Sequence, residues 1–194
     1  MPRPGLISLA HNGVLFLDEA PEFSTPVLES LRQPLESGEV RISRAAGLAR
    51  FPARFQLVLA ANPCPCGKLF GTGSSCTCSS QQRARYSTRL SAPLLDRIDI
   101  RMSVRRPSAA VLAAAGKSVQ PGSAELRSRV VAARALAFER LGKTPWGLNS
   151  QVPGVYLRRE LRLPKVVTAK LDAALLRGAL SMRGYDRCLR LAWT

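Results

Sequence analysis

Histidine is nearly absent from the 194-residue chain, His11 being the sole one. It stands before Asn12-Gly13 at the entry to an apolar run and is read as shaping that turn. No imidazole is then left for a Ser/His/Asp or Cys/His catalytic arrangement. Long hydrophobic segments are also missing: no apolar run approaches the roughly 20 residues that span a bilayer. The opening Met1-Pro2-Arg3-Pro4 is not followed by the hydrophobic stretch of a signal peptide. The expected address is the cytoplasm, with no membrane partner. Acidic residues are scarce, 13 Asp and Glu against 29 Lys and Arg, for a net charge of +16. The excess is mostly arginine and is heavier after residue 105. Clustered guanidinium groups gain from counterion release on meeting phosphates, which suits a polyanionic partner. Solvated helix faces in an arginine-rich chain account for the same charge. There is no internal repeat.

What remains is ordinary globular composition, 46% apolar and 22% charged, enough for one domain or two small ones. Gly13 introduces Val14-Leu15-Phe16-Leu17, short, unbroken and uncharged, as expected of a strand buried on both faces of a parallel sheet. Thr25-Pro26 resembles a cap followed by proline at the first helical position, and Ser37-Gly38 supplies a stop. This predicts a helix over 26–37 whose last turn Pro34 distorts. Val40-Arg41-Ile42-Ser43 and Leu48-Ala49-Arg50-Phe51 alternate apolar with polar around Ala46-Gly47, a projecting hairpin with one solvated face. A second buried strand, Phe55-Gln56-Leu57-Val58-Leu59-Ala60, runs into Asn62-Pro63. Residues 63–80, rich in Cys, Gly, Ser and Thr, read as an ordered or metal-tied loop. Residues 81–95 read as helical, and Ile98-Asp99-Ile100-Arg101-Met102 as a further strand. Residues 106–123 suit a connector, and from Ala124 the pattern is all-helical, with Leu126, Val130, Ala133, Ala137 and Leu141 at helical spacing.

Three local arrangements point to chemistry. The first apolar strand delivers the adjacent carboxylates Asp18 and Glu19 to its carboxyl end, the end that faces the ligand crevice in an open parallel sheet. One such carboxylate can hold Mg²⁺ through its water shell while the next activates an attacking water. An Asp that merely caps the following helix explains the same string. Asn62 lies just beyond the next core strand, where a neutral amide can hydrogen-bond a terminal phosphate or simply start an Asn-Pro turn. Arg97, in Leu94-Leu95-Asp96-Arg97-Ile98-Asp99, offers a planar fork for the charge of a transferring phosphoryl group, on its own or a neighbouring subunit. The alternative is a surface cluster with Asp96 and Asp99.

Taken in order, these elements resemble the magnesium-chelatase-like AAA+ ATPases, most closely the ComM/YifB branch. The resemblance runs through Arg3-Pro4-Gly5, Ser8-Leu9-Ala10-His11-Asn12-Gly13, Asp18-Glu19, Pro52-Ala53-Arg54-Phe55-Gln56-Leu57-Val58, Asn62-Pro63-Cys64-Pro65-Cys66-Gly67 and Arg89-Leu90-Ser91-Ala92-Pro93-Leu94-Leu95-Asp96-Arg97-Ile98-Asp99. It continues through Thr144-Pro145-Trp146, Val152-Pro153-Gly154 and Ser181-Met182-Arg183-Gly184-Tyr185-Asp186-Arg187, covering nearly the whole chain. The resemblance implies an α/β fold: the C-terminal part of a AAA+ (P-loop NTPase) core with a parallel sheet, followed by an all-helical lid. The divisions are then residues 1–105 for the partial core, 106–123 for the connector and 124–194 for the lid. It implies ATP and Mg²⁺ as cofactors, Asp18 and Glu19 as Walker B, Asn62 as sensor 1, Arg97 as arginine finger and Arg183 as sensor 2. Arg187 and Arg190, one and two turns further on, are expected to meet polyanion or nearby acids. The family forms hexameric rings, and its ComM members are DNA helicases that promote branch migration in natural transformation, so a homo-oligomer and a DNA partner are expected.

The chain departs from that family in one respect. A phosphate-binding loop requires Gly-x-x-x-x-Gly-Lys-Ser/Thr after a strand. The only Gly-Lys-Ser is Gly116-Lys117-Ser118, in an alanine-rich stretch downstream of Asp18-Glu19, and it does not fit. The chain reads as starting just upstream of Walker B and stopping within a helix at Leu191-Ala192-Trp193-Thr194. By itself it is expected to bind and hydrolyse ATP poorly.

Cys64-Pro65-Cys66 and Cys76-Thr77-Cys78 are two Cys-x-Cys pairs nine residues apart. Four gathered thiolates suit a structural zinc; reduced thiols or disulfides are the alternatives. Cys188 reads as a small apolar residue of the last helix. Arg41, Arg44, Arg50 and Arg54 of the hairpin are positioned either to line a pore against DNA backbone or to form a solvated face. Three functions follow: a DNA-acting ring motor, the motor subunit of a metal-insertion chelatase, or a non-catalytic, zinc-tied DNA-binding module.

Overall fold

A computed structural model describes residues 3–44, 47–69, 75–104, 107–115 and 121–194. The chain forms two compact units, Met1–Arg106 and Pro107–Thr194.

In the first unit, helix α1 (Leu6–Leu9) precedes strand β1 (Val14–Leu17). The chain then passes a single 3-10 turn (Ala20–Glu22), helices α2 (Thr25–Ser30) and α3 (Arg32–Ser37), and the ribbon β2 (Glu39–Arg44) and β3 (Gly47–Pro52). It returns as β4 (Gln56–Leu59) alongside β1. The β1/β4 pair is parallel, with Val14 opposite Gln56 and Leu17 opposite Leu59. The β2/β3 pair is antiparallel, with Arg41 opposite Arg50. Helices α4 (Ser80–Ser87) and α5 (Ala92–Leu95) follow. The core is Leu17, Ala20, Leu28, Leu31 and Leu94, with Leu15, Leu57 and Leu59 packed against it.

Three expectations change here. The single helix over 26–37 is two. Pro34 has no N–H to bond the Ser30 carbonyl and its ring crowds that carbonyl, so the break falls a full turn earlier, at Leu31. β1 is buried on one face only. Leu17 is buried, while Val14 and Phe16 are 64% and 58% exposed, because none of the described residues covers that side. Residues 98–102 form no strand: they find no ladder partner among the described residues, and Ile100 and Met102 are exposed. The tip of the ribbon, Ala45-Ala46, and the side chain of Arg44 lie outside the described residues, as does Gly116-Lys117-Ser118.

The second unit is helical: α6 (Ala109–Ala115) within the stretch read as connector, then α7 (Ser123–Leu141), α8 (Gly154–Arg159), α9 (Lys165–Leu176) and α10 (Met182–Ala192). Leu141, Val152, Leu157, Tyr185 and Leu189 form its core, flanked by Trp146, Tyr156 and Trp193. The helical spacing along α7 is real, and among the described residues its buried positions, Ala137 and Leu141, lie toward the C-terminal end, while Leu126 and Val130 are exposed. The end of the chain is tied down. The Arg140 guanidinium lies 4.6 Å over the Trp193 ring and donates to the Trp193 carbonyl, and the Trp193 indole N–H donates to the Leu161 carbonyl. The Asn149 amide bonds the carbonyl of Trp193 and the hydroxyl of Thr194.

Candidate functional site

Parallel pairing in register brings the carboxyl ends of β1 and β4 out at the same edge. Asp18 and Glu19 leave that edge directly after Leu17, and Asn62 leaves it three residues after Leu59; all three are exposed. The Ala60 N–H bonds the Leu17 carbonyl and the Ala20 N–H bonds the Ala60 carbonyl, continuing the ladder past the last paired residues. Glu19 adopts the left-handed conformation, with φ 48 and ψ 42. That conformation costs a residue with a Cβ about 1–2 kcal/mol. It persists because Ala20 and Pro21, just beyond it, are buried and because Asp18 Oδ1 accepts the Glu19 N–H at 2.9 Å. Asp18 and Glu19 offer hard oxygen donors of the kind that hold Mg²⁺, and Asn62 a neutral hydrogen-bonding amide.

Beneath this edge lies the motif at residues 89–97. Arg89 donates to the Pro21 carbonyl at 2.8 Å and pairs with Glu22, holding the turn after Asp18-Glu19. Ser91 caps α5 and donates to Glu29 at 2.5 Å; Arg32 pairs with the other oxygen of that carboxylate. The Ser91 hydroxyl first, and Arg32 next, hold the Glu29 carboxyl below its ordinary pKa. Leu94 is fully buried. Arg97 is drawn into the same network, bonding Glu36 at 2.6 Å and the Pro93 carbonyl at 2.7 Å. Sequence reasoning assigned Arg97 a role and missed Glu29, Glu36 and Ser91, whose only signals were the acids of 26–37 and a serine one residue before Ala92-Pro93.

His11 accepts the Arg54 N–H through Nδ1 at 3.0 Å, and the Asn12 N–H bonds the Arg54 carbonyl, fastening the entry of β1 to the entry of β4. Arg41 is engaged by Glu39 at 2.5 Å, and the Arg54 side chain lies under Gly38.

Past Asn62 the chain turns back through Gly67, left-handed at φ 69, whose N–H bonds the Cys64 carbonyl at 3.0 Å. Cys64, Cys66, Cys76 and Cys78 meet there, their four Sγ atoms all within 4.8 Å of one another. Cys64 to Cys66 is 3.4 Å, and Cys76 is 3.7 Å from both. All five cysteines of the chain are free thiols. A bond from the Lys68 backbone, then the Cys64 thiol, brings Cys66 down to about 6. At Cys78 the Cys66 backbone acts in the lowering sense, but the Cys66 thiol, burial and the remaining thiols outweigh it and push the group up to about 11. Such a set can hold a metal ion, and soft thiolates select a different ion from hard carboxylates. Tyr86 of α4 sits against the same loop: burial foremost, then the charge of Glu22, raises its hydroxyl, while the Asn62 backbone N–H acts the other way.

In the second unit Arg183 lies in the first turn of α10, which Ser181 caps by accepting the Gly184 N–H at 3.0 Å. Arg190 donates twice to the Val152 carbonyl, at 3.0 and 3.1 Å. Asp186 pairs with Arg158 and lies so close to Gly154 that a Cβ there would collide with the carboxylate. Tyr185 donates to Asp172 at 2.6 Å, and Thr168 to its other oxygen at 3.0 Å, a buried arrangement that sequence reasoning did not find. Among the described residues no helix is long and apolar enough to cross a membrane.

Residues 1–112 match the family model for magnesium chelatase, subunit ChlI, and residues 120–194 that for the ChlI C-terminal region. The chain is 47% identical over 195 residues to an uncharacterized protein of Mycobacterium tuberculosis. It is 45% identical over 194 residues to the competence protein ComM of Haemophilus influenzae and 42% over 196 residues to YifB of Escherichia coli. Each alignment covers 100% of this chain but only 37 or 38% of the relative. With mixed helix and strand, a small parallel sheet and matches that run the whole of this chain, it belongs to the magnesium-chelatase-like family, in its ComM/YifB branch.

Proposed function

We propose that these residues form the Walker B, sensor and arginine-finger part of an ATP-driven hexameric ring motor that acts on DNA. Asp18 holds Mg²⁺ through its water shell, and Glu19 accepts a proton from the water that attacks the terminal phosphate. Asn62 donates its amide to that water or to the phosphate. Arg183 contacts the terminal phosphate from the lid, residues 124–194, and Arg97 stabilises the transition-state charge on a neighbouring subunit's nucleotide. Arginines of the β2/β3 ribbon face DNA backbone, and the four cysteines hold a structural zinc. The observation that carries this reading is the parallel register of β1 and β4, which supports a common edge for Asp18, Glu19 and Asn62.

The match to magnesium chelatase, subunit ChlI, favours a second reading, the motor subunit of a metal-insertion chelatase. Stimulation of hydrolysis by DNA separates the two. If the chain is a non-catalytic, zinc-tied DNA-binding module, a protein of the relatives' full length would not bind ATP·Mg²⁺ at all. In that longer protein, Glu19→Gln should keep ATP binding and lower hydrolysis by about 10²–10⁴-fold. Hydrolysis that survives this substitution unchanged sinks the assignment. The 194 residues alone, which contain no phosphate-binding loop, should bind ATP·Mg²⁺ weakly.

A further inference from the structure

The loop after β4 is irregular over its described residues. Among the described residues between Asn62 and the cap of α4 at Ser79 there is neither helix nor strand, and a backbone bond from Gly67 to the Cys64 carbonyl makes its turn. Yet the four thiols converge closely. Cys64 is fully buried. A tetrahedron of sulfurs around one ion at a Zn–S distance of about 2.3 Å has edges of about 3.8 Å. The measured separations of 3.4 and 3.7 Å, with none beyond 4.8 Å, match that single-ion geometry. They are too long for a sulfur–sulfur bond of about 2.05 Å and leave no room for the irons and bridging sulfides of a cluster.

The position of the four residues is equally specific. Cys64 is two residues beyond Asn62, and Cys78 immediately precedes Ser79, whose hydroxyl accepts the Gln82 N–H while the Gln82 side chain accepts the Ser79 N–H. The Cys78 carbonyl accepts from Arg83, one turn inside α4. Tyr86, a further turn on and buried, meets the Asn62 backbone. An ion shared by the two Cys-x-Cys pairs would therefore close a ring: Asn62, Cys64, metal, Cys78, Ser79, α4, Tyr86 and back to Asn62.

We propose that Cys64, Cys66, Cys76 and Cys78 bind one zinc ion as a tetrathiolate, and that this ion is the clamp that fixes Asn62 against the start of α4. The cysteines are positioning residues, acting through the loop rather than on any substrate. The importance of that placement for hydrolysis rests on the reading of Asn62 as a sensor; the clamp itself does not.

The test uses the whole chain purified under reducing conditions. Elemental analysis should find one zinc per chain, and replacement by cobalt should give the visible bands of tetrahedral Co²⁺ with thiolate charge transfer in the near ultraviolet. Removing the ion with a chelator should accelerate amide hydrogen exchange over residues 61–69 and 75–88, and adding zinc back should restore protection. Exchange along β1, β4 and the β2/β3 ribbon should stay slow throughout, showing that the unit remains folded. Cys64→Ser with Cys76→Ser should lose the ion and show the same local deprotection. Trace metal only, or an octahedral cobalt spectrum, overturns the site. A bound ion whose removal leaves exchange at 61–69 unchanged overturns the clamp. Hydrolysis is not read here, so a failed motor assignment leaves the result standing.

Discussion

Arg97 and Glu36 meet at 2.6 Å, tying the end of α5 to the last turn of α3. The arginine side chain is only 12% exposed, the glutamate 56%. A guanidinium offered as a finger to a neighbouring subunit is thus held within its own chain, and two roles for it make different predictions. If Arg97 acts on a nucleotide in the assembled longer protein, Arg97→Ala should lower hydrolysis about 10³-fold or more. Glu36→Gln, which keeps the guanidinium and its bond to the Pro93 carbonyl, should stay within a few-fold. Equal losses in both variants would make the arginine a brace for α5. Steady-state phosphate release decides it.

Leu94 joins the motif at 89–97 to α2 and to β1. Leu94→Ala should destabilise the first unit by about 2–5 kcal/mol, since it removes a fully buried side chain from a small core. Urea unfolding followed by circular dichroism should show a lower midpoint at unchanged slope.

The Tyr185–Asp172 bond carries its own pH window. The Tyr185 hydroxyl first, then Thr168, lowers the Asp172 pKa from 3.8, so its stabilisation is complete above that value and is lost as pH falls through the lower folded value. The Asp172 bond foremost, then burial, raises the Tyr185 pKa from 10.0, so that stabilisation is complete below 10.0 and is lost as pH rises through the higher folded value. Tyr185→Phe should therefore lower the Tm most between about pH 4 and 10. The difference from the unsubstituted chain should shrink in stronger acid, as measured by tryptophan fluorescence from Trp146 and Trp193.

Gly154 is required by a neighbour rather than by its own backbone. The Asp186 carboxylate occupies the space of a side chain at 154 and can retreat only by releasing Arg158. Gly154→Ala should cost about 1–3 kcal/mol through overpacking. In the background of Asp186→Ala the same substitution should be nearly neutral. Additivity of the two changes in a double-mutant cycle would refute the contact.

Local patterns made much of the first unit legible. The uncharged run at 14–17, the alternation on either side of Ala46-Gly47 and the run before Asn62 each become strands, because a strand's signature repeats every two residues and lies within its own segment. What failed was nonlocal. Ile98–Met102 has β-forming residues yet joins no strand among the described residues, and Phe16 has the character of a doubly buried position without a covering layer among those same residues. Pro34 was noticed, but its effect reaches back to the carbonyl four residues earlier, which turned one helix into two. The site divides similarly. Asp18, Glu19, Asn62 and the four cysteines stand out by residue type and spacing. Glu29, Glu36, Ser91 and the Asp172–Tyr185 pair become meaningful only when helices distant in sequence come together.

The seating of Trp193 beneath Arg140 gives the second unit a closed end. Replacing Trp193 by a small residue would uncap the guanidinium and open the Leu161 carbonyl to water, so one indole couples α10 both to α7 and to the segment after α8.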